Sequence, residues 1–163
     1  MPLSKILRPS LDTGVPNVGF AVKKNSDVQT LSSGTLTKVT FDTELFDTNN
    51  NFASSRFTPT VAGQYFFYAD LHHYNSASGA TTQRNTVLYK NGSPHTYTLR
   101  TENNTAGYTI KVEVSAIIEM NGSSDYVEVY ARGTFSSGTY QIADDTNSGF
   151  SNGNTFIGFR LGV

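Results

Sequence analysis

Cysteine is absent from the 163 residues. That removes disulfide frameworks, thiolate zinc sites and cysteine nucleophiles from the possible chemistries. Charge is scarce as well: Asp, Glu, Lys and Arg make up 15% of the chain, and 12 basic against 13 acidic residues leave a formal net charge of −1. So neutral a chain lacks the electrostatic footprint that binding to nucleic acid or an anionic membrane requires. No apolar run is long enough for a membrane-spanning helix, so no membrane insertion is expected. The start, "MPLSKILRPSLDTG", has no apolar h-region and reads as carrying no secretory signal. Helical periodicity is nowhere sustained over three turns. Phosphate loops, dinucleotide fingerprints, His-x-His and His-Glu-x-x-His spacings and a Gly-x-Ser-x-Gly elbow are all missing.

What is present is a polar surface built from Asn, Thr, Ser, Gln and Gly rather than from charge, a composition common on extracellular and virion β-proteins. The expected location is therefore extracellular or on a virion surface, with no signal peptide in this chain. Residues 1–17 contain Pro2, Pro9, Gly14 and Pro16 without periodicity and read as a leader or linker. From Val18 to the C-terminus, short β-type runs alternate with turn clusters. They are "VGFAV", "LTKVTFDTELF", "NFASSRFTPT", "GQYFFYADLHHYN", "NTVLYK", "HTYTL", "YTIKVEVSAIIEM", "YVEVYARGTF", "TYQIA" and "TFIGFRLGV". Asn91-Gly92 predicts a tight hairpin, because both central positions of a type I′ turn need positive φ. Eight to ten strands in one domain of residues 18–163 imply an antiparallel sandwich or barrel.

Alternation within the runs raises a question. In 61–75, Tyr65, Phe67, Ala69 and Leu71 point one way and Phe66, Tyr68 and Asp70 the other, so one strand carries large rings on both faces. Both faces also turn apolar at Ala116-Ile117-Ile118. In the last run Ile157, Phe159 and Leu161 form one set, with Phe156, Gly158 and Arg160 on the alternate side.

Four ordered blocks resemble the globular head of the C1q/TNF superfamily. "SSRFTPTVAGQYFFYADL" is similar to its F-x-x-x-x-x-G-x-Y-x-F pattern through Phe57, Gly63, Tyr65 and Phe67. "VLYKNGSP" resembles V-x-L-x-K-N-G through Val87, Tyr89, Lys90, Asn91 and Gly92. "SAIIEMNGSSDYVEVYA" resembles S-G-x-x-L-x-L-x-x-G-D-x-V through Gly122, Asp125 and Val127, with two residues inserted between the Gly and the Asp. "NTFIGFRLGV" resembles the closing S-x-F-S-G-F-L-L through Phe156, Gly158, Phe159 and Leu161. The resemblance implies an all-β jelly-roll sandwich of about ten strands that assembles as a homotrimer. On that register Tyr65, Phe67, Ala69 and Leu71 fill the sandwich. Phe66, Tyr68 and Asp70, with Phe156, Gly158 and Arg160 of the last strand, face neighbouring protomers. Asp70 would then meet copies of itself near a threefold axis, with Arg160 the preferred counter-charge.

The remaining candidates are weaker. His72 and His73, adjacent on a strand, point to opposite faces and cannot share a metal; at most they tune trimer stability near pH 6. His95 sits alone beside the Asn91-Gly92 turn. Asp144 and Asp145 are calcium candidates by ligand type, but the loop lacks a closing Glu and a solvated turn is preferred. No other cofactor is expected. "NGS" and "NNT" match glycosylation acceptors and are read, for the two "NGS" sites, as turns. Tyr74, Tyr108 and Phe150, in polar loops, could stack on sugar rings.

The leading functional reading is a non-enzymatic homotrimeric head that binds a surface protein or glycan. Its specific form is a phage tail-fibre tip or virion adhesin, because "LSKILRPSLDTG" is similar to the starts of phage fibre proteins. A purely structural trimerisation or capping module, and a monomeric carbohydrate-binding module or carbohydrate-active enzyme, are the alternatives.

Overall fold

Thirteen strands make up the secondary structure of the described residues, and no helix is among them. They are β1 (Gly19–Lys23), β2 (Gln29–Leu31), β3 (Thr37–Lys38), β4 (Thr43–Asp47), β5 (Phe52–Ala53), β6 (Arg56–Phe57), β7 (Gly63–Asn75), β8 (Thr81–Lys90), β9 (Ser93–Thr101), β10 (Ile110–Met120), β11 (Val127–Phe135), β12 (Tyr140–Ile142) and β13 (Thr155–Arg160). The computed structural model describes residues 17–25, 28–77, 80–101, 109–143 and 154–161. The leader up to residue 16, and with it most of the expected linker, lies outside them.

The strands form two sheets with antiparallel pairing throughout, the sandwich expected from the alternation. One sheet runs β2-β12-β7-β13-β1-β4, with β10 on the other edge of β7; the second runs β5-β6-β11-β8-β9, with β3 also on β11. β7 is central because it is long. β10 pairs with it from Gly63 to His73, while β13 takes Tyr65–Asp70 and β12 takes His73–Asn75 along the opposite edge. The count exceeds about ten because two runs break into short pieces and β2 lies in none of the runs. Within 51–60 the chain folds back between β5 and β6, with Ser54 and Ser55 at φ 51° and 55°. Asn91 and Gly92, at φ 52° and 77°, make the predicted hairpin turn between β8 and β9.

Inward side chains fill the space between the sheets. Tyr65, Phe67, Ala69 and Leu71 are fully buried, as their alternation required, against Leu88, Val127, Val129 and Ala131 of the second sheet. At one end the rings cluster: Phe20 lies 4.3 Å from Phe57, 4.8 Å from Phe156 and 5.1 Å from Phe52, centroid to centroid. Each such pair contributes about 0.5–1.5 kcal/mol beyond its buried area.

The last strand corrects an expectation. Phe156 is fully buried in this core and Gly158 is buried with it, while Phe159 is 43% exposed on the opposite side. "TFIGF" is apolar at both parities, so its alternation leaves the orientation open, and the register implied by the resemblance takes the opposite one. Gly158 decides it physically: a Cβ there would lie 2.7 Å from ring atoms of both Phe20 and Phe67. Its missing side chain makes room for the chain's own rings, and Phe156 and Gly158 are core residues rather than interface residues.

Candidate functional site: the outer face of the first sheet

Directly paired residues on antiparallel strands share a face, so the registers assemble the outer surface row by row. Ile117 of β10 stands opposite Phe66 of β7, which stands opposite Phe159 of β13. The next row is Ser115, Tyr68, Ile157 and Ala21, and the third is Glu113, Asp70, Thr155 and Lys23. The first row is an apolar stripe: Ile117 is 57% and Phe159 43% exposed, and the Phe66 and Phe159 rings touch at 5.4 Å. Phe46 of β4, 51% exposed and paired with Ala21, extends the apolar surface to the sheet edge. Neither Ile117 nor Phe159 stood out in the sequence as an outer-face residue. The doubly apolar "AII" run was the signal for the first, and Gly158 was the signal for the second.

Below the stripe the face turns polar around Asp70. Asp70 accepts hydrogen bonds from the Thr155 backbone N–H (2.9 Å) and hydroxyl (2.7 Å) and from the Tyr68 hydroxyl (3.2 Å), and pairs with Lys111 Nζ at 2.5 Å. Its counter-charge is thus Lys111, not Arg160. Arg160 stands opposite Tyr65, five residues along the ladder from Asp70, about 17 Å away. There its Nε donates to the Ala62 carbonyl at 3.0 Å. Burial, then the Asp70 charge and the hydrogen bond to Glu113, push the Tyr68 hydroxyl well above its ordinary pKa. Tyr68 therefore stays a neutral donor between two carboxylates.

The histidines separate as the strand geometry demands. His73 points inward and is fully buried, with Nδ1 2.8 Å from Tyr140 Oη and Nε2 3.0 Å from Thr86 Oγ1. Thr86 donates its own proton to the Val112 carbonyl (2.9 Å). Nε2 therefore carries the ring proton and Nδ1 accepts from Tyr140. Both nitrogens are engaged, so His73 can serve neither as a base nor as a metal ligand. Burial, with the positive charge of Arg84, lowers its pKa to about 3. His72 lies on the outer face, and His95 on β9 is exposed.

On the second sheet, Glu128 is a buried carboxylate held by Lys38 (2.7 Å), Arg56 (2.8 Å) and the Tyr130 hydroxyl (3.4 Å), fastening β3 and β6 to β11. Burial pushes its pKa up, but the hydrogen bonds from Lys38 and Arg56 outweigh burial and hold it below the usual carboxylate range. Among the described residues no three His, Asp or Glu side chains converge as metal ligands. Asp144, Asp145, Tyr108 and Phe150 lie outside the described residues. Tyr74, expected in a loop, is instead within β7, paired with Gln141; the loop shrinks because β7 and β8 reach Asn75 and Thr81.

No protein-family profile and no curated protein matches the chain. Solved structures do match. The globular domain of zebrafish complement 1qA superposes with a TM-score of 0.61 at 17% identity, over 90% of this chain and 98% of that one. Eiger TNF from S. frugiperda gives 0.63 at 10% identity, over 91% and 94%. Murine APRIL at pH 5.0 gives 0.61 at 9% identity, over 90% and 100%. The fold is the C1q/TNF jelly roll. On this jelly roll the apolar stripe runs across β10, β7, β13 and the start of β1. No helix among the described residues is long and apolar enough to cross a membrane.

Proposed function

We propose that the chain is a non-enzymatic homotrimeric recognition head. Its first sheet packs against neighbouring protomers and its remaining surface is presented to a surface protein or glycan. The observation that carries the reading is the stripe Ile117–Phe66–Phe159, with two of its three members about half exposed in the single chain. An apolar row lined up across three strands, on a face whose Asp70 is already paired with Lys111, is what a partner of the same shape would cover. The shared C1q/TNF fold supports trimeric assembly as the form of that cover. The engaged His73 supports a binding rather than a catalytic role. The specific form we favour is a tail-fibre tip or other virion adhesin, on the strength of the charge-poor, Asn- and Thr-rich composition and the phage-like leader.

Chemical cross-linking followed by a glycan array, with the intact assembly as probe, tests the reading. Cross-linked trimers that retain one or more glycans support an adhesin. Trimers that retain neither a glycan nor host-surface protein reduce the chain to a structural cap. Turnover of an arrayed glycan would make it an enzyme.

A further inference from the structure

The outer face of the second sheet, on the opposite side of the sandwich from the stripe, carries a groove of about 310 Å³. Asn85 and Val87 of β8 form its floor, and Tyr97 and Leu99 of β9 form one wall. Arg132 of β11 and Leu36, in the segment before β3, form the other. Tyr97 and Leu99 are 62% and 46% exposed, unusually bare for an aromatic and a leucine side by side on one face. The volume lies at the small end of ligand-binding clefts, and the lining has the expected mix of apolar walls with a few polar groups.

Two polar atoms lining this groove are buried and have no hydrogen-bond partner: Asn85 Oδ1, an acceptor, and Arg132 Nε, a donor. Native structures leave few such atoms, and each calls for an explanation. These two are direct cross-strand partners, so their Cβ atoms stand about 5 Å apart and one ligand can reach both. The charge balance narrows the ligand. Arg132 makes no ion pair among the described residues, and β8 and β9 contain no acidic residue. The one carboxylate of β11, Glu128, lies four residues away and is held by Lys38 and Arg56. Among the described residues the groove therefore has a cation without a counter-ion, an acceptor without a donor, and an aromatic wall.

We infer that this groove binds a carboxylate-bearing sugar, a uronic acid or similar acidic saccharide. The carboxylate would pair with the Arg132 guanidinium, an adjacent hydroxyl would donate to Asn85 Oδ1, and the apolar face of the ring would rest on Tyr97. An inorganic anion satisfies only the arginine. A peptide cannot pair with the floor strand, because the ladder already uses the main-chain groups of β8 on both edges. The inference deepens the recognition-head reading by naming one site and one ligand class. Every lining residue comes from a single chain, so the groove can be probed whether or not the chain trimerises.

The test is a methyl- and ring-resolved NMR titration of the full chain with D-glucuronic acid, against glucose and acetate as controls, with the mass of each sample measured in parallel. Glucuronic acid is expected to shift the Val87 and Leu99 methyls and the Tyr97 ring. Arg132→Gln should weaken its binding by roughly tenfold or more, as loss of a charge-assisted bond implies. Tyr97→Ala should weaken it several-fold. Equal responses to glucose or to acetate would overturn the assignment, as would undiminished binding by Arg132→Gln. Shifts confined to another surface would also overturn the groove while leaving the recognition head intact; a single-chain mass would overturn the head without touching the groove.

Discussion

Gly158→Ala separates the two possible orientations of the last strand. The added methyl would sit 2.7 Å from Phe20 Cε1, 2.7 Å from Phe67 Cδ1 and 2.8 Å from Phe67 Cε1. Ordinary carbon contacts lie near 3.5–4.0 Å, so both rings must retreat by about 1 Å. Neither has room: Phe20 is already 4.3 Å from Phe57 and 4.8 Å from Phe156, and Phe67 is stacked with Tyr65 at 6.1 Å. Overpacking of this kind costs about 1–3 kcal/mol, and with both rings confined the upper end applies. For a domain of this size each kcal/mol lowers Tm by about 2–4 °C, so a fall of about 6–12 °C is expected. Wild type and variant are melted at equal chain concentration, because assembly makes Tm concentration-dependent. The variant should keep the wild-type mass. An unchanged Tm together with a lowered mass would refute the core assignment and return Gly158 to the subunit interface.

Other perturbations read different parts of the account. Phe159→Glu removes an apolar surface that the isolated chain leaves 43% exposed. That is about 90 Å² of a ring burying about 200 Å², or about 2 kcal/mol per protomer. Over three protomers the loss is about 6 kcal/mol, more than four powers of ten in the assembly constant; light scattering should show dissociation to folded single chains. Acid should destabilise the fold in two stages. His73 is held neutral down to about 3, so below the unfolded value of about 6.5 the unfolded chain binds a proton that the native chain does not. Glu128, with its folded pKa lowered, contributes stability above about 4.5 that is lost as pH falls through its folded value. Denaturant unfolding should show stability falling from pH 6.5, at up to about 1.4 kcal/mol per pH unit from His73, and His73→Asn should flatten that slope between pH 6.5 and 5. A wild-type profile flat over that interval would contradict the buried neutral imidazole.

Much of the fold was legible because its signals are local. The alternation of Tyr65, Phe67, Ala69 and Leu71 and the Asn91-Gly92 turn each depend on a few adjacent residues, and the structure places them as read. The candidate site was legible by halves. β7 shows its two faces plainly, since Phe66 and Tyr68 alternate with residues that the core must bury. β13 does not, because Phe156-Ile157 and Phe159 offer rings or branches at both parities, and the choice rests on Phe20 and Phe67, far away in sequence. The partner of Asp70 was missed for the same reason: Lys111 meets it only through the β10–β7 register, which no local pattern specifies. The groove of the second sheet combines Leu36, Asn85, Tyr97 and Arg132 from four segments, and nothing in any one of them announces it.

Sedimentation equilibrium of the wild-type chain at micromolar concentration tests the central claim, that the first sheet is an assembly face. Three copies of the 17.8 kDa chain predict a mass of about 53 kDa. A single species at 17.8 kDa, with the stripe Ile117–Phe66–Phe159 left in water, would contradict it.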